Sequence, residues 1–136
     1  MKGLVGLFLV LVLMSCAASK KSQELNKTSW EMTRLEMNGL MKNIPSDKPI
    51  VLFEDNNVLN GTTGCNSFFG KYDISKDGSM ELQIEGITKA FCMDSQEVED
   101  VLLNQKMIQN LTFSVDGDIL VLENVEQKLR IEFIRK

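Results

Sequence analysis

The sequence contains no histidine, and this absence removes the usual general base and the commonest metal ligand of proteins. It also has no Cys-x-x-Cys motif, which argues against thioredoxin-like redox chemistry. Lysine and arginine form no basic patch and the net charge is −4, so nucleic acid is not expected as a partner. We therefore predict that the chain is not an enzyme and has no catalytic residues, cofactor or metal.

No hydrophobic run is long enough to span a membrane. The apolar stretch Leu4–Met14 has about 11 residues, whereas a spanning helix needs roughly 20. Lys2 precedes this stretch and a small residue and a cysteine follow it, which is the layout of a secretory signal. Its ending, Leu13–Cys16, resembles the lipobox of bacterial lipoproteins, in which the cysteine is acylated and becomes the mature N-terminus. The alternative is an ordinary signal peptide that is cut near Ala17 or Ala18.

The signal implies a division of the chain into three parts. Residues 1–15 are expected to be the lipoprotein signal peptide, residues 16–26 a flexible tether lipidated at Cys16, and residues 27–136 the folded domain. Two or three acyl chains anchor a protein firmly, and the acidic balance leaves the anchor as the expected sole membrane attachment. Because no acidic residue directly follows Cys16, sorting rules favour the outer membrane, with the domain facing the periplasm as a monomer.

Two cysteines remain after Cys16, namely Cys65 and Cys92. Paired cysteines of exported proteins usually form a disulfide, because the compartment is oxidising. Such a bridge would stabilise the fold by roughly 3–4 kcal/mol in the chain-entropy model. The alternative is a pair of buried free thiols that pack as small hydrophobic groups.

Alternating apolar and polar residues predict a mainly β fold with one helix. The stretch 61–72 combines three glycines, Cys65, Asn66 and three aromatic residues, and it predicts a tight corner with Cys65 turned inward under the aromatics. The helix is expected over residues 95–109, with Asp94 or Ser95 as its cap and with Asp94 and Glu97 at a capping-box spacing. Strands are expected over residues 28–37 with a bulge near 33–34, 50–53, 58–62, 71–74, 80–84, 111–115, 119–123 and 128–134.

A small antiparallel, lipocalin-like β-barrel, or a strongly curved sheet, would resolve the exposed edges of so many short strands. In this arrangement the helix covers an end or a face of the sheet. A two-layer α+β sandwich is the alternative fold.

Specific residues also carry a family resemblance. An early Trp30 is followed by the run Gly61-x-x-Gly64-Cys65-Asn66-x-Phe68-x-Gly70-x-Tyr72, then by Thr88-x-x-x-Cys92 and an acidic helix. This order resembles the META domain, the family of the heat-shock protein HslJ, over essentially the whole mature chain. The resemblance implies a bacterial envelope or exported protein, in some cases linked to heat or antibiotic stress. It supplies no catalytic residues, and it implies a small lipocalin-like barrel with an added helix.

Phe68, Phe69 and Tyr72 are the candidate binding residues. They either cover the core over Cys65 or form an aromatic lip on an apolar pocket or a partner surface. The expected function is that of a non-enzymatic, lipid-anchored envelope module for protein interaction or envelope stress. The alternative function is that of a lipocalin-like carrier of a small apolar ligand.

Overall fold

The computed structural model describes residues 24–136. The predicted signal peptide, the lipidation site Cys16 and most of the predicted tether lie outside the described residues. The described part has nine strands and one α-helix, and no helix in it is long and apolar enough to cross a bilayer. These elements are β1 (Thr28–Met37), β2 (Leu40–Met41), β3 (Ile50–Phe53), β4 (Val58–Thr62), β5 (Ser67–Ile74), β6 (Met80–Ile87), α1 (Gln96–Leu102), β7 (Thr112–Asp116), β8 (Ile119–Asn124) and β9 (Leu129–Arg135).

The strands form a single antiparallel sheet in the order β6-β5-β4-β3-β1-β9-β8-β7, with β2 paired to β1. The sheet curls strongly into a half-barrel. Its two edges touch where the Met80 N–H donates to Leu111 O at 2.7 Å and the Leu111 N–H donates to Met80 O at 2.8 Å. The predicted fold class, a strongly curved antiparallel sheet with one helix, is therefore confirmed, and the two-layer alternative is wrong.

Alternation along the strands sends every second side chain into one core. Trp30 of β1 is fully buried, and the Arg135 guanidinium lies 4.7 Å from the centre of its ring. Phe53 and Tyr72 meet edge to face with their ring centres 5.0 Å apart. The predicted bulge in β1 is present between Met32 and Arg34, and it keeps the apolar side chains on the inner face on both sides of the shift.

The helix is shorter than predicted, because it ends at Leu102 and not near residue 109. The chain after it turns and runs along the open edge of β6, where the Leu82 N–H donates to Ile108 O at 2.9 Å. Backbone groups of Ile108 and Leu111 thus bond to β6 and do not continue the helix. Ile108 is buried in this arrangement too. The spacing of Ile108 from the apolar residues before it is therefore compatible with a helix but does not show that one forms.

Two predicted boundaries also differ. Strand β5 begins at Ser67, four residues before the predicted start at Lys71, because residues 67–70 already pair with β4. Leu25 is fully buried and Asn26 forms a bridge to Phe53. The fold therefore includes Leu25 and Asn26, which had been predicted to belong to the tether.

Candidate functional site

The corner between β4 and β5 is a tight turn built by Thr63 and Asn66. The Thr63 N–H donates to Asn66 O at 2.8 Å, and the Asn66 N–H donates to Thr63 Oγ1 at 2.9 Å. Gly64, at the tip, has φ of 88°, and a Cβ there would overlap the backbone oxygen of Asp47. Both polar residues are buried, so the turn directs two hydrogen-bonding side chains into the protein.

Asn66 uses its whole side-chain amide to hold the segment that precedes the helix. Its Oδ1 accepts from Thr88 Oγ1 at 2.9 Å and from the Ala90 N–H at 2.7 Å. Its Nδ2 donates to Ala90 O at 2.9 Å and to Glu99 Oε1 at 2.8 Å. All four bonding positions of the amide are thus filled, as a buried amide requires.

Glu99 connects the same turn to the helix. Its Oε1 accepts from Thr63 Oγ1 at 2.8 Å, from Asn66 Nδ2 at 2.8 Å and from Ser95 Oγ at 3.2 Å. We call the set of side chains joined in this way, with the Ala90 backbone, the Asn66–Glu99 network. Its members are Thr63, Asn66, Thr88, Ala90, Ser95 and Glu99.

A disulfide between Cys65 and Cys92 lies beside the Asn66–Glu99 network, with the two Cα atoms 6.1 Å apart. It joins the corner to the segment before the helix, which is the region that Asn66 also holds. Cys65 is half-buried, and the inward-facing residue of the corner is Asn66. The expectation that Cys65 points inward beneath the aromatic residues is therefore wrong.

The segment held in this way presents two apolar side chains to solvent. Phe91 and Met93, on either side of Cys92, are 79% and 82% exposed. No regular strand or helix forms over residues 88–92, so the disulfide and the bonds from Asn66 fix this backbone. We call these two residues the Phe91–Met93 pair.

Glu97, the other acidic residue in the first turn of the helix, binds a neighbouring loop. Glu97 Oε2 accepts from the Asn43 N–H at 2.7 Å, and Glu97 Oε1 lies 3.4 Å from Lys42 Nζ. The predicted capping box of Asp94 and Glu97 is wrong, because Ser95 is the N-cap and makes no side-chain capping bond. Glu97 instead links the loop after β2 to the helix.

The three aromatic residues that were expected to form one surface lie on two faces of β5. Phe68 and Tyr72 point into the core, whereas Phe69 is 54% exposed on the outer face and lies against Gly86. The Tyr72 hydroxyl donates to Glu54 O at 3.0 Å. Burial raises the pKa of Tyr72, and the negative charge of Asp55 adds to the effect. Phe69 is thus the only one of the three that is open to a partner.

The polar side chains and the disulfide of this region hold parts of the chain together. Among residues 24–136, no three acidic or sulfur-containing ligands come together in a way that would hold a metal ion. Both cysteines are in the disulfide, so neither is a free nucleophile. The central roles of Asn66 and Glu99 were missed from the sequence, which predicted only that Asn66 belongs to a tight corner. The Gly-Cys-Asn run was the one signal that pointed to Asn66.

The comparisons with known proteins agree with this architecture. An NMR structure of a protein from Burkholderia xenovorans superposes with a TM-score of 0.68 at 21% identity, covering 86% of this chain and 87% of that one. A crystal structure of a DUF4847 family protein from Bacteroides vulgatus gives a TM-score of 0.62 at 13% identity, covering 83% of this chain and 95% of that one. At these identities the likeness shows the fold alone.

Sequence comparison gives the family. No match was found among curated protein sequences. The family model of the META domain, however, matches residues 23–136, which includes every described strand, the helix and both cysteines of the disulfide. The resemblance seen in the Gly-Cys-Asn-x-Phe-x-Gly-x-Tyr run is thereby confirmed, and the chain belongs to the META domain family.

Proposed function

We propose that this META domain is a non-enzymatic, lipid-anchored module of the bacterial envelope that binds a protein partner through the Phe91–Met93 pair. The single observation that carries the proposal is the exposure of these two large apolar side chains on a segment that is fixed from two sides. Exposed apolar groups that cluster on a surface commonly mark interaction sites.

Preorganisation favours a docking role for this segment. Binding through a mobile loop loses free energy when the loop becomes ordered, and a loop that is already held avoids much of that loss. Here the disulfide and the Asn66–Glu99 network hold the backbone on both sides of Phe91. Aromatic residues are also enriched among those that contribute most to binding at protein interfaces.

The envelope location and the absence of catalysis are supported by the sequence. The Leu13–Cys16 lipobox implies acylation at Cys16, and the domain then lies in the envelope, with the outer membrane and the periplasmic side favoured. The chain has no histidine, and the family pattern supplies no catalytic set. A role in envelope integrity under stress follows from the family's occurrence in exported and stress-linked proteins.

Site-specific photo-crosslinking in the living cell tests the docking role. A photoreactive phenylalanine analogue replaces Phe91 in one strain and Phe69 in another, because both are exposed phenylalanines and Phe69 lies on the outer face of β5, outside the proposed docking segment. We expect a defined protein adduct from position 91 that is absent from position 69. Equal adducts from the two positions, or none from position 91, would contradict the proposal.

A second candidate function, as a carrier of a small apolar ligand, is favoured by one observation. The indole N–H of Trp30 is fully buried and has no hydrogen-bond partner within the described part of the chain. Buried polar groups normally have a partner, and a bound ligand would be one way to supply it. Trp30 is the only tryptophan of the chain, so its fluorescence reports on this position directly. A saturable, one-to-one change in Trp30 emission on titration with a fatty acid would support a carrier, and an unchanged emission would rule it out.

A further inference from the structure

Two exposed isoleucines form an apolar pair on the outer face of the sheet. Ile119 at the start of β8 and Ile134 near the end of β9 are directly opposite each other in the register. Residues opposite each other in an antiparallel pair share a face, so the two side chains are adjacent. Ile119 is 51% exposed and Ile134 is 44% exposed, so the two β-branched side chains form an apolar surface that is accessible from outside the domain.

This pair lies at the end of the sheet where the described chain begins. Ile134 is opposite Glu31 of β1, and the Lys136 N–H donates to Ser29 O at 2.9 Å. Arg135 Nη1 donates to Thr28 Oγ1 at 3.4 Å. We call this region, with Thr28, Ile119 and Ile134, the entry end. The other end of the β8–β9 hairpin is the turn after β8, which contains Val125. The Val125 side chain is 78% exposed.

The length of chain between Cys16 and Leu25 limits how far the entry end can lie from a membrane. Leu25 is fully buried and is therefore part of the fold. The nine residues from Cys16 to Leu25 span at most about 30 Å even when fully extended. An acylated Cys16 thus keeps Leu25 within about 30 Å of the lipid surface. The entry end lies beside the start of β1, close to Leu25, whereas the opposite end lies beside Met37 at the far end of β1.

The basic side chains at the entry end are paired, whereas Asp116, directly opposite Ile119 in the register, is exposed and has no salt-bridge partner among the described residues. Lys27 Nζ lies 3.1 Å from Asp55 Oδ2, and Lys136 Nζ lies 2.6 Å from Glu31 Oε2. Arg135 Nε lies 3.4 Å from Asp118 Oδ1. Because each of these three basic side chains has an acidic partner, the entry end has no excess positive charge that would attract anionic lipid. Contact with zwitterionic lipid at this end is therefore expected to depend on the isoleucines and to be insensitive to salt, whereas Asp116 would be repelled by anionic lipid.

We propose that the outer face of the entry end, centred on Ile119 and Ile134, rests on the lipid bilayer. The domain then stands on the membrane with the β8–β9 turn at Val125 directed away from it. This inference rests on the proposed lipid anchor, which brings the face to the membrane at high effective concentration. Two isoleucines alone would bind a bilayer weakly, so the anchor and the apolar pair act together.

Tryptophan depth quenching tests the orientation. The full-length lipidated protein, as I119W or V125W, is reconstituted into phosphatidylcholine vesicles with or without brominated acyl chains. The two positions are exposed β-branched residues at opposite ends of one six-residue strand, about 20 Å apart, so V125W is a matched control. Wild-type protein, with Trp30 alone, gives the background. We expect the added emission of I119W to be quenched at least twofold more by the brominated lipid than that of V125W, at both low and high salt.

The outcomes separate the orientation from the anchor. Vesicle flotation measures the anchor, and protein that fails to float contradicts the anchor and, with it, the orientation. Protein that floats but shows equal quenching at the two positions contradicts the orientation and leaves the anchor intact. A change in I119W emission that depends on protein concentration at fixed lipid would show that a second copy covers the face, and would also overturn the proposal. In an I119W/I134S variant, we expect flotation to persist and the extra quenching to decrease.

Discussion

Asn66 Nδ2 donates a 2.8 Å hydrogen bond to Glu99 Oε1, and this bond joins the corner between β4 and β5 to helix α1. The same amide holds both backbone groups of Ala90. One buried side chain thus positions the corner, the helix and the segment that carries Phe91. Damage to Asn66 is therefore expected to affect all three together.

Replacing Asn66 with alanine should lower the free energy of unfolding by about 2–4 kcal/mol, because the Ala90 N–H, Ala90 O and Glu99 lose buried partners. Chemical denaturation followed by circular dichroism measures the change. Ser114→Ala, an exposed position in β7, is the control and should change stability by less than about 0.5 kcal/mol. A loss below about 1 kcal/mol for Asn66→Ala would contradict the role given to the network.

Removing the disulfide by the double change Cys65→Ser and Cys92→Ser should cost about 3–4 kcal/mol, since the unfolded chain regains the freedom of the closed loop. The Asn66–Glu99 network remains, so we expect the variant to stay folded. Thermal unfolding with and without a reductant measures the effect: the reductant should lower the Tm of the wild type and leave that of the double variant unchanged. A reductant-insensitive wild type would contradict the bridge.

Two glycines that face phenylalanine rings should respond differently to alanine. A Cβ at Gly61 would overlap Ile50 O and the buried ring of Phe68, and neither can move away. A Cβ at Gly86 would meet only the ring of Phe69, which is half-exposed and can rotate outward. We expect Gly61→Ala to destabilise by about 2–3 kcal/mol and Gly86→Ala by less than about 1 kcal/mol. Urea denaturation of the two variants checks the order, and the reverse order would show that the assigned contacts are wrong.

The turn between β5 and β6 should contribute stability that depends on pH. Hydrogen bonds from the Ser75 hydroxyl, the Ser79 N–H and the Ser79 hydroxyl lower the pKa of Asp77 to about 2. Because the pKa is depressed in the folded state, the contribution is present above about pH 4 and is lost as the pH falls to about 2. We therefore expect Asp77→Ala to have a lower Tm than the wild type at pH 6 and a much smaller Tm difference at pH 2, where about half of the Asp77 carboxyl is protonated. A Tm difference that stays constant over this range would contradict the assignment.

The sequence predicted the strands better than it predicted the site, for physical reasons. Strands such as Thr28–Met37 carry their own signal, because alternation with a period of two follows from one buried and one solvent-facing side. The helix end was missed because Ile108 is buried both in a helix and in the turns that run along β6. Local patterns thus fix which residues face the core and leave the backbone path after Leu102 undetermined.

Local sequence patterns could not predict the hydrogen bonds of the Asn66–Glu99 network. The residues that the Asn66 side chain bonds lie 22, 24 and 33 residues along the chain, and no periodicity connects them. A polar residue close to a glycine is typical of a surface turn, and only the curl of the sheet places Asn66 under the segment before the helix. The separation of Phe69 from Phe68 and Tyr72, in contrast, follows from the alternation of β5 once its start at Ser67 is known.

Hydrogen exchange at the Ala90 amide tests most directly whether the Phe91–Met93 pair is held in place before any partner binds. This N–H donates to Asn66 Oδ1 at 2.7 Å although residue 90 lies outside any strand or helix. In the free domain we predict exchange at least about 100-fold slower than in an unstructured peptide, with that protection lost in Asn66→Ala. Exchange in the wild type at the rate of an unstructured peptide would contradict the account, because the segment that carries Phe91 would then not be held in the free protein.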